Sequence, residues 1–270
     1  MVPTPSVGRP ASDRAPTSTS PRPQGIGSPN PPHRPGAGGF QIETLHAILF
    51  IACNTGGVTI SDSLRELVVT GALDGADRLS ESAIAARLGV SRTPVREALQ
   101  RLESEGLVFA QGRGVRIRRR SPAELRDVYE ARAALDGFAA ARLAERQRAG
   151  RLAPATLAEL DELAEQTDAA TRSGDLAVAT ARNRRFHERI AELAGNPVIT
   201  LALRRYWDQI QVSTRAELAA PARVRAVQDE HAGLLAAIRS GEPERAATLA
   251  QAHALATAAI TTTTAPEEHA

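Results

Sequence analysis

Hydrophobic residues recur at helical spacing in three short segments between residues 61 and 106. In the first segment Leu64, Leu67 and Val68 lie three or four positions apart and therefore share one helical face. Ser80 and Ser91 stand where a second and a third helix would begin, and serine is a favoured N-cap residue. The pattern predicts helices over 61–70, 80–88 and 91–105, which together form a small three-helix unit.

Two short runs of alternating apolar residues follow the third predicted helix. Leu107–Gln111 and Val115–Arg118 flank the tripeptide Gly112-Arg113-Gly114, whose glycines suit a tight turn. This arrangement predicts a β-hairpin. Three helices followed by a hairpin are the plan of a winged helix-turn-helix, which we place over residues 58–120.

Beyond Ser121-Pro122 the hydrophobic period is that of helices only. The predicted helices cover 123–147, 155–173, 175–194, 197–217, 222–240 and 243–262. Glycine and proline residues separate them, and such short connections favour an antiparallel bundle. We therefore expect a mainly α protein, in which the winged helix-turn-helix precedes an all-α bundle of about six helices over residues 121–264.

The two ends of the chain differ from these domains. Residues 1–40 are rich in Pro, Gly, Ser and Thr and bury too little apolar surface to offset the entropy of ordering. Phe40–Ile60 has a brief apolar patch but no clear period. We expect residues 1–57 to be a disordered or non-native extension and residues 265–270 to be a disordered tail.

Composition narrows the cellular setting. Cys53 is the only cysteine, so neither a disulfide framework nor a thiolate zinc cluster can form within one chain. The longest apolar stretch, Ala47–Cys53, is too short to span a bilayer. We expect a cytoplasmic, nucleoid-associated protein without a signal peptide or membrane anchor. Basic residues outnumber acidic ones in residues 61–120, whereas acidic residues outnumber basic ones in residues 121–270. A positively charged winged helix-turn-helix, called the head below, suits DNA binding.

The predicted head carries a specific motif. The motif begins with Leu79-Ser80-Glu81 and ends with Glu105-Gly106-Leu107-Val108. Its central part reads Ala86-Arg87-Leu88-Gly89-Val90-Ser91-Arg92-Thr93-Pro94-Val95-Arg96-Glu97-Ala98-Leu99. This stretch closely resembles the GntR family of bacterial repressors. The resemblance implies a transcription regulator that binds double-stranded operator DNA, and we expect it to act as a homodimer.

The start of the third helix predicts a DNA-contact surface. Arg92 and Arg96 lie four positions apart, so both guanidinium groups project from one face and can reach guanine edges or phosphates. Ser91 and Thr93 add hydroxyl groups, and the free N–H groups of the helix N-terminus suit a phosphate. In this fold the same end of the helix enters a major groove.

The hairpin tip predicts a second contact. Arg113 and Gly114 lie where a small backbone can approach the minor groove and let the arginine side chain reach in. Arg101 also belongs to the candidate DNA-binding set. Its side chain can face either the DNA backbone or a neighbouring acid such as Glu97 or Glu105, and both alternatives stay open.

The bundle resembles the FCD effector domain that many GntR regulators carry. The resemblance rests on Val128–Leu135, on Phe186-His187 with Ala194–Pro197, and on Glu230-His231. It implies a divalent metal ion held by an Asp and a His one helical turn apart, together with two further His from later helices.

In this chain the implied metal ligands are Asn183, His187, His231 and His253. Asn183 stands where the family often has Asp, and its amide oxygen brings no negative charge, so metal affinity should be weaker. Three imidazoles still suit Zn²⁺ or Ni²⁺ and leave coordination positions open. The plainer alternative is that these are core histidines hydrogen-bonded to helix neighbours.

Arg132, on the first bundle helix, is the candidate effector-binding residue. Its guanidinium can bind a ligand carboxylate as a bidentate fork. An ion pair with Asp136 or Glu130 on the same helix is the open alternative. A metal ion and an arginine together favour a small organic acid as effector, such as a sugar acid, hydroxy acid or dicarboxylate.

These patterns predict a regulator, and not an enzyme, whose operator binding responds to a small carboxylate. Three His around an open metal position also suit a metal-dependent hydrolase. The chain lacks both a His-Glu-x-x-His arrangement and a nucleophile elbow, which disfavours that alternative. A DNA-architectural protein that ignores ligands is the third possibility.

Overall fold

The computed structural model describes residues 59–73, 79–112, 114–214 and 221–261. The predicted N-terminal extension, Arg113 at the wing tip and the predicted C-terminal tail lie outside the described residues. Within the described ranges the fold is mainly helical, as the sequence predicts.

The described residues of the head form three helices and a hairpin. They are α1 (Ile60–Thr70), α2 (Glu81–Leu88), α3 (Arg92–Ser104), β1 (Val108–Gln111) and β2 (Gly114–Ile117). The strands are antiparallel, with Val108 opposite Ile117. Leu79, just before α2, adds a bridge to Val115 and so ties the wing to the helices. This is the predicted winged helix-turn-helix.

Side chains cap the first two of these helices. Thr59 and Asp62 form a reciprocal capping box at α1, and Ser80 accepts a hydrogen bond from the N–H of Ala83 at α2. Ser91 occupies the N-cap position of α3 with extended backbone, but its hydroxyl makes no capping hydrogen bond. Ser91 is thus the N-cap residue as predicted, but the expected capping hydrogen bond is missing. Its hydroxyl is exposed, and the first N–H groups of α3 are left for solvent or a ligand.

Among the described residues, six helices follow the head and form the bundle. They are α4 (Pro122–Arg148), α5 (Pro154–Ser173), α6 (Leu176–Ala194), α7 (Pro197–Thr214), α8 (Pro221–Arg239) and α9 (Pro243–Thr261). Leu143, Phe186 and Ile238 lie at the centre of the bundle core and are fully buried. Over the part of the chain that the structure describes, the predicted all-α bundle of about six helices is confirmed. None of the helices described is both long and apolar enough to span a bilayer.

Helix α7 also joins the bundle to the head. Val212, near its C-terminal end, is fully buried in the hydrophobic core of the head. Gln209 donates to the backbone carbonyl of Glu105 over 2.7 Å, and Ser213 accepts from the backbone N–H of Arg120 over 3.1 Å. A shift of α7 would therefore displace residues that pack directly against the head.

Candidate functional site

The arginines at the start of α3 point out of the protein. The side chains of Arg92 and Arg96 are 63% and 55% exposed, whereas Val95 and Leu99 on the opposite face are buried. Ser91 and Thr93 are exposed beside them. The alternation follows from helical geometry, since the apolar face packs onto the head core and turns the polar face outward. Four predicted DNA-contact residues thus share one accessible surface: Ser91 at the N-cap of α3, and Arg92, Thr93 and Arg96 within the helix.

Glu81, the first residue of α2, binds both arginines. Arg96 donates from Nε and Nη2 to the two carboxylate oxygens, each over 3.0 Å. Arg92 donates from Nη2 over 3.3 Å. The hydrogen bond from Arg96 is the largest influence on Glu81 and lowers the pKa of its carboxyl. The sequence prediction missed this contact, because Glu81 and Arg96 are brought together only by the turn between α2 and α3.

Of the remaining DNA-contact candidates, Gly114 and Arg101 are among the described residues. Gly114 begins β2, and it lines a groove of about 440 Å³ together with Glu81, Arg92 and Arg96. Arg101 is exposed and borders a separate groove, where Pro94 and Glu97 also lie. Arg113 lies outside the described residues. The structure therefore places the Gly114 end of the wing beside the arginines of α3.

Three buried histidines meet inside the bundle. The facing nitrogens of His187 on α6, His231 on α8 and His253 on α9 all lie within 4.8 Å of one another. His187 Nε2 and His253 Nε2 are 3.0 Å apart, a distance that suits either one hydrogen bond or two ligands of a common ion. The sequence predicted these three residues as a set, and the fold brings them together from three helices.

Glu230 orients one of the three rings. Its carboxylate lies 2.7 Å from Nδ1 of His253 and, as an acceptor, requires that nitrogen to carry the hydrogen. Nε2 of His253 then presents its lone pair to the other histidines. A carboxylate behind a ligating imidazole is the usual arrangement in metal sites, since it fixes the tautomer and raises ligand basicity.

Asn183 supplies a further observation that fits a metal site. It lies one turn before His187 on α6, and its buried side-chain oxygen has no hydrogen-bond partner among the described residues. A buried oxygen without a partner is costly, because its desolvation is not offset. The donor set of three imidazoles and one amide oxygen fits a divalent ion such as Zn²⁺ or Ni²⁺.

Arg132 is buried beside this cluster. Its Nε donates to Asp136 over 2.9 Å, and its guanidinium carbon lies 3.7 Å from the ring centre of Trp207. Trp207 also faces His187, with ring centres 5.8 Å apart. The ion pair with Asp136, which the sequence left open as the alternative to effector binding, is present. Nη2 of Arg132 has no hydrogen-bond partner among the described residues. Burial raises the pKa of Asp136, and the nearby Arg132 opposes that rise.

Asp208, adjacent to Trp207 on α7, links the bundle to the head by ion pairs. Its carboxylate accepts from Arg65 of α1 and from Arg184 of α6, each over 2.7 Å. Arg65 also pairs with Glu105 at the end of α3. Burial lowers the pKa of Arg184, but Asp208 and Glu188 more than offset it and the net pKa is raised. Neighbouring residues of α7 thus contact the histidine cluster and the head.

Comparison with known proteins identifies the class. Residues 57–117 match the model of the bacterial regulatory proteins of the gntR family, and residues 127–256 match that of the FCD domain. The chain belongs to the GntR family of transcription regulators and carries an FCD domain. Its relatives are transcription regulators and not enzymes, so the hydrolase alternative is set aside.

Relatives of this GntR regulator match it over shares of their own length that range from less than half to more than four fifths. An HTH-type transcriptional regulator from the TAR-I ttuE-ttuC' intergenic region of Agrobacterium vitis is 35% identical over 49% of this chain and 77% of its own. The regulator McbR of Escherichia coli is 29% identical over 68% and 83%. The gluconate operon repressor of Bacillus subtilis is 32% identical over 37% and 42%.

A solved structure of the E. coli protein McbR agrees with the fold. It superposes with a TM-score of 0.64 and 27% identity, covering 74% of this chain and 94% of McbR. The likeness therefore includes both the head and most of the bundle.

Proposed function

We propose that this GntR regulator represses transcription by binding operator DNA through the exposed surface of α3 and the wing. The observation that carries the proposal is the outward pair Arg92 and Arg96 at the N-terminal end of α3. Two forked guanidinium groups on one helix face suit guanine edges in a major groove. Ser91, Thr93, Arg101, Arg113 and Gly114 then serve as backbone and minor-groove contacts.

A second part of the proposal concerns the bundle. His187, His231 and His253, with Asn183, would hold a divalent metal ion, Zn²⁺ or Ni²⁺. A carboxylate ligand could then bind the ion at a fifth coordination position, or in place of the weak amide ligand Asn183. The unpaired Nη2 of buried Arg132 would supply the second attachment, and a small organic acid would satisfy it.

Helix α7 supports a route from this ligand to DNA. Trp207 stacks on Arg132, while Asp208 next to it pairs with Arg65 of the head. Movement of α7 on ligand binding would reorient the head relative to the bundle. In a homodimer the two heads must match half-sites at fixed separation, so a change in head orientation changes operator affinity.

Operator binding is tested by substitution in α3. Arg92→Ala or Arg96→Ala should weaken binding to operator DNA by about 1–3 kcal/mol for each lost base contact. The control is Arg245→Ala, which removes an exposed arginine of the bundle whose ion pair among the described residues is with Glu242, three positions before it. Equal operator affinity of the α3 variants and the control would contradict the proposed DNA-reading surface.

The ligand site is tested with the purified protein. Metal analysis should find a divalent ion, and a thermal-shift screen of small carboxylates should find one that raises the melting temperature, because a ligand of the native state stabilises it. Arg132→Lys keeps the charge but loses the fork. It should retain the metal while losing the carboxylate-induced shift. A protein that binds no metal and responds to no carboxylate would contradict the effector proposal and leave the DNA-reading proposal intact.

A further inference from the structure

Glu81 is an unexpected neighbour for a DNA-reading surface. It places a negative charge against Arg92 and Arg96, and a carboxylate there repels DNA phosphates. Its position at the start of α2 is favourable for the helix dipole, but that role does not require contact with another helix. Both carboxylate oxygens are nevertheless occupied by arginines of α3.

The geometry of the contact with Arg96 is specific. Arg96 uses Nε and Nη2, which form the lateral edge of the planar guanidinium group. The terminal edge, made of Nη1 and the second hydrogen of Nη2, has no partner among the described residues. That edge carries two parallel N–H donors, the arrangement that pairs with O6 and N7 of guanine. Glu81 therefore fixes the orientation of the guanidinium group and leaves its base-reading edge accessible.

We propose that Glu81 is a specificity-determining positioning residue, which orients Arg96 for guanine and withholds it from phosphate. The inference rests on the proposed DNA-reading role of Arg96. An unrestrained arginine has large rotamer entropy and can pair with any nearby phosphate, which strengthens binding to every sequence. An arginine held by its lateral edge loses less entropy on meeting a guanine and reaches phosphates less readily. Glu81 thus lowers the affinity for DNA of any sequence and raises the discrimination between the operator and other sequences.

The test compares Glu81→Gln with Glu97→Gln in the full-length protein. Glu97 is exposed, adjoins Arg96 on the same helix and has no ion pair among the described residues, so its variant removes the same charge without freeing an arginine. The specific probe is a duplex selected by the unaltered protein from a random-sequence library. A shuffled duplex of the same composition is the non-specific probe. Circular dichroism and thermal melting check that each variant is folded.

Glu81→Gln should lower the ratio of specific to non-specific affinity by about fivefold or more, the lower end of the discrimination given by one bidentate pair. Its non-specific binding should also become more salt-dependent, with the logarithmic slope steeper by about 0.9 for one added phosphate contact. Glu97→Gln should strengthen both affinities by a similar factor and leave the ratio and the slope unchanged.

A double-variant cycle separates the two levels of the argument. In an Arg96→Ala background, Glu81→Gln should no longer change the ratio, because the group that it positions is absent. If Glu81→Gln behaves like Glu97→Gln, Glu81 acts only as a surface charge and the inference is overturned, while the DNA-reading role of Arg96 stands. If Arg96→Ala keeps full specific affinity, the proposed role of Arg96 fails and the inference fails with it.

Discussion

Two of the candidate functional side chains are held by an acidic residue from another helix. Glu81 of α2 holds Arg96 of α3, and Glu230 of α8 orients His253 of α9. Both Arg96 and His253 are predictable from the sequence as candidates, since Arg96 lies in the GntR motif and His253 is a later histidine of the kind that the FCD resemblance implies. Their acidic partners are not, because the contacts depend on how the helices pack. Each partner decides which edge or nitrogen of its neighbour is available for binding.

The histidine cluster yields a prediction at this scale. His231→Ala should lower the bound metal to well below that of the unaltered protein and remove the response of operator binding to metal and carboxylate. DNA binding by the metal-free protein should persist, because the head does not contain the cluster. Elemental analysis and operator titration measure the two effects. A His231→Ala variant with a normal ligand response would argue against the metal site as sensor.

Asn183→Asp is the complementary variant. It adds a carboxylate at the position whose amide oxygen has no described hydrogen-bond partner, and a carboxylate binds a divalent ion more strongly than an amide does. We expect zinc to bind Asn183→Asp more tightly than the unaltered protein in a chelator competition. Unchanged or weaker zinc affinity would place Asn183 outside the set of ligands.

Helix beginnings and ends follow closely from local sequence signals. Ser121 and Glu124 form a reciprocal capping box at α4, with proline in the first turn, and Gly195 ends α6 in a left-handed conformation. These signals act within a few residues, so they are readable before the fold is known. Ser91 is the exception at α3, where the serine occupies the capping position without making the capping bond.

The cap of α4 predicts a measurable stability change. Ser121→Ala should lower the free energy of unfolding by about 1 kcal/mol, because the N–H of Glu124 loses its side-chain acceptor. Urea unfolding followed by circular dichroism gives the value. Ser104→Ala is the control, since that exposed hydroxyl bonds only to the carbonyl of Arg101 in its own helix. A loss no larger than in the control would mean that solvent replaces the cap.

The same cap predicts a pH dependence. The backbone N–H of Ser121 and then the guanidinium of Arg118 lower the pKa of Glu124 in the folded protein. A carboxyl group with a lowered pKa stabilises the fold above its ordinary pKa, and this stabilisation is lost as the pH falls through the lowered value. Glu124→Gln should therefore destabilise the protein at pH 7.

The difference between Glu124→Gln and the unaltered protein should narrow as the pH falls into the acidic range. Urea unfolding midpoints measured across a pH series test this. Glu66→Gln, which removes an exposed acid of α1, should change the midpoint little at pH 7. A destabilisation by Glu124→Gln that stayed constant down to the lowest pH would show that its charge has no part in the cap.

At the scale of the whole molecule, α7 connects the candidate ligand site to the head. Trp207 contacts Arg132 and His187, Asp208 pairs with Arg65, and Val212 lies in the head core. These residues lie within two helical turns, so a rotation or shift of α7 acts on both regions at once. No pattern in the sequence of α7 indicates this double role, because each contact joins residues distant in the chain.

Asp208→Asn tests the connection. The amide is isosteric with the carboxylate but cannot pair with the charges of Arg65 and Arg184, so the response of operator affinity to zinc should shrink while bound zinc stays the same. Operator titrations with and without zinc measure it. The control is Asp161→Asn, which breaks a solvent-exposed ion pair with Arg239 between two helices of the bundle. A full zinc response in Asp208→Asn would exclude this ion pair from the coupling route.

The sequence alone determined the elements of this protein, its two-part plan and the residue types at both candidate sites. The hydrophobic period, the caps and the turn residues each involve positions only a few residues apart, and most of the family motifs are contiguous. All of them can therefore be recognised from the sequence. Tertiary structure decided which acid binds which arginine or histidine, which polar atoms are buried without a partner, and which helix joins the sites. Those contacts depend on packing between helices that are far apart in the chain, and the local sequence does not indicate which helices pack together.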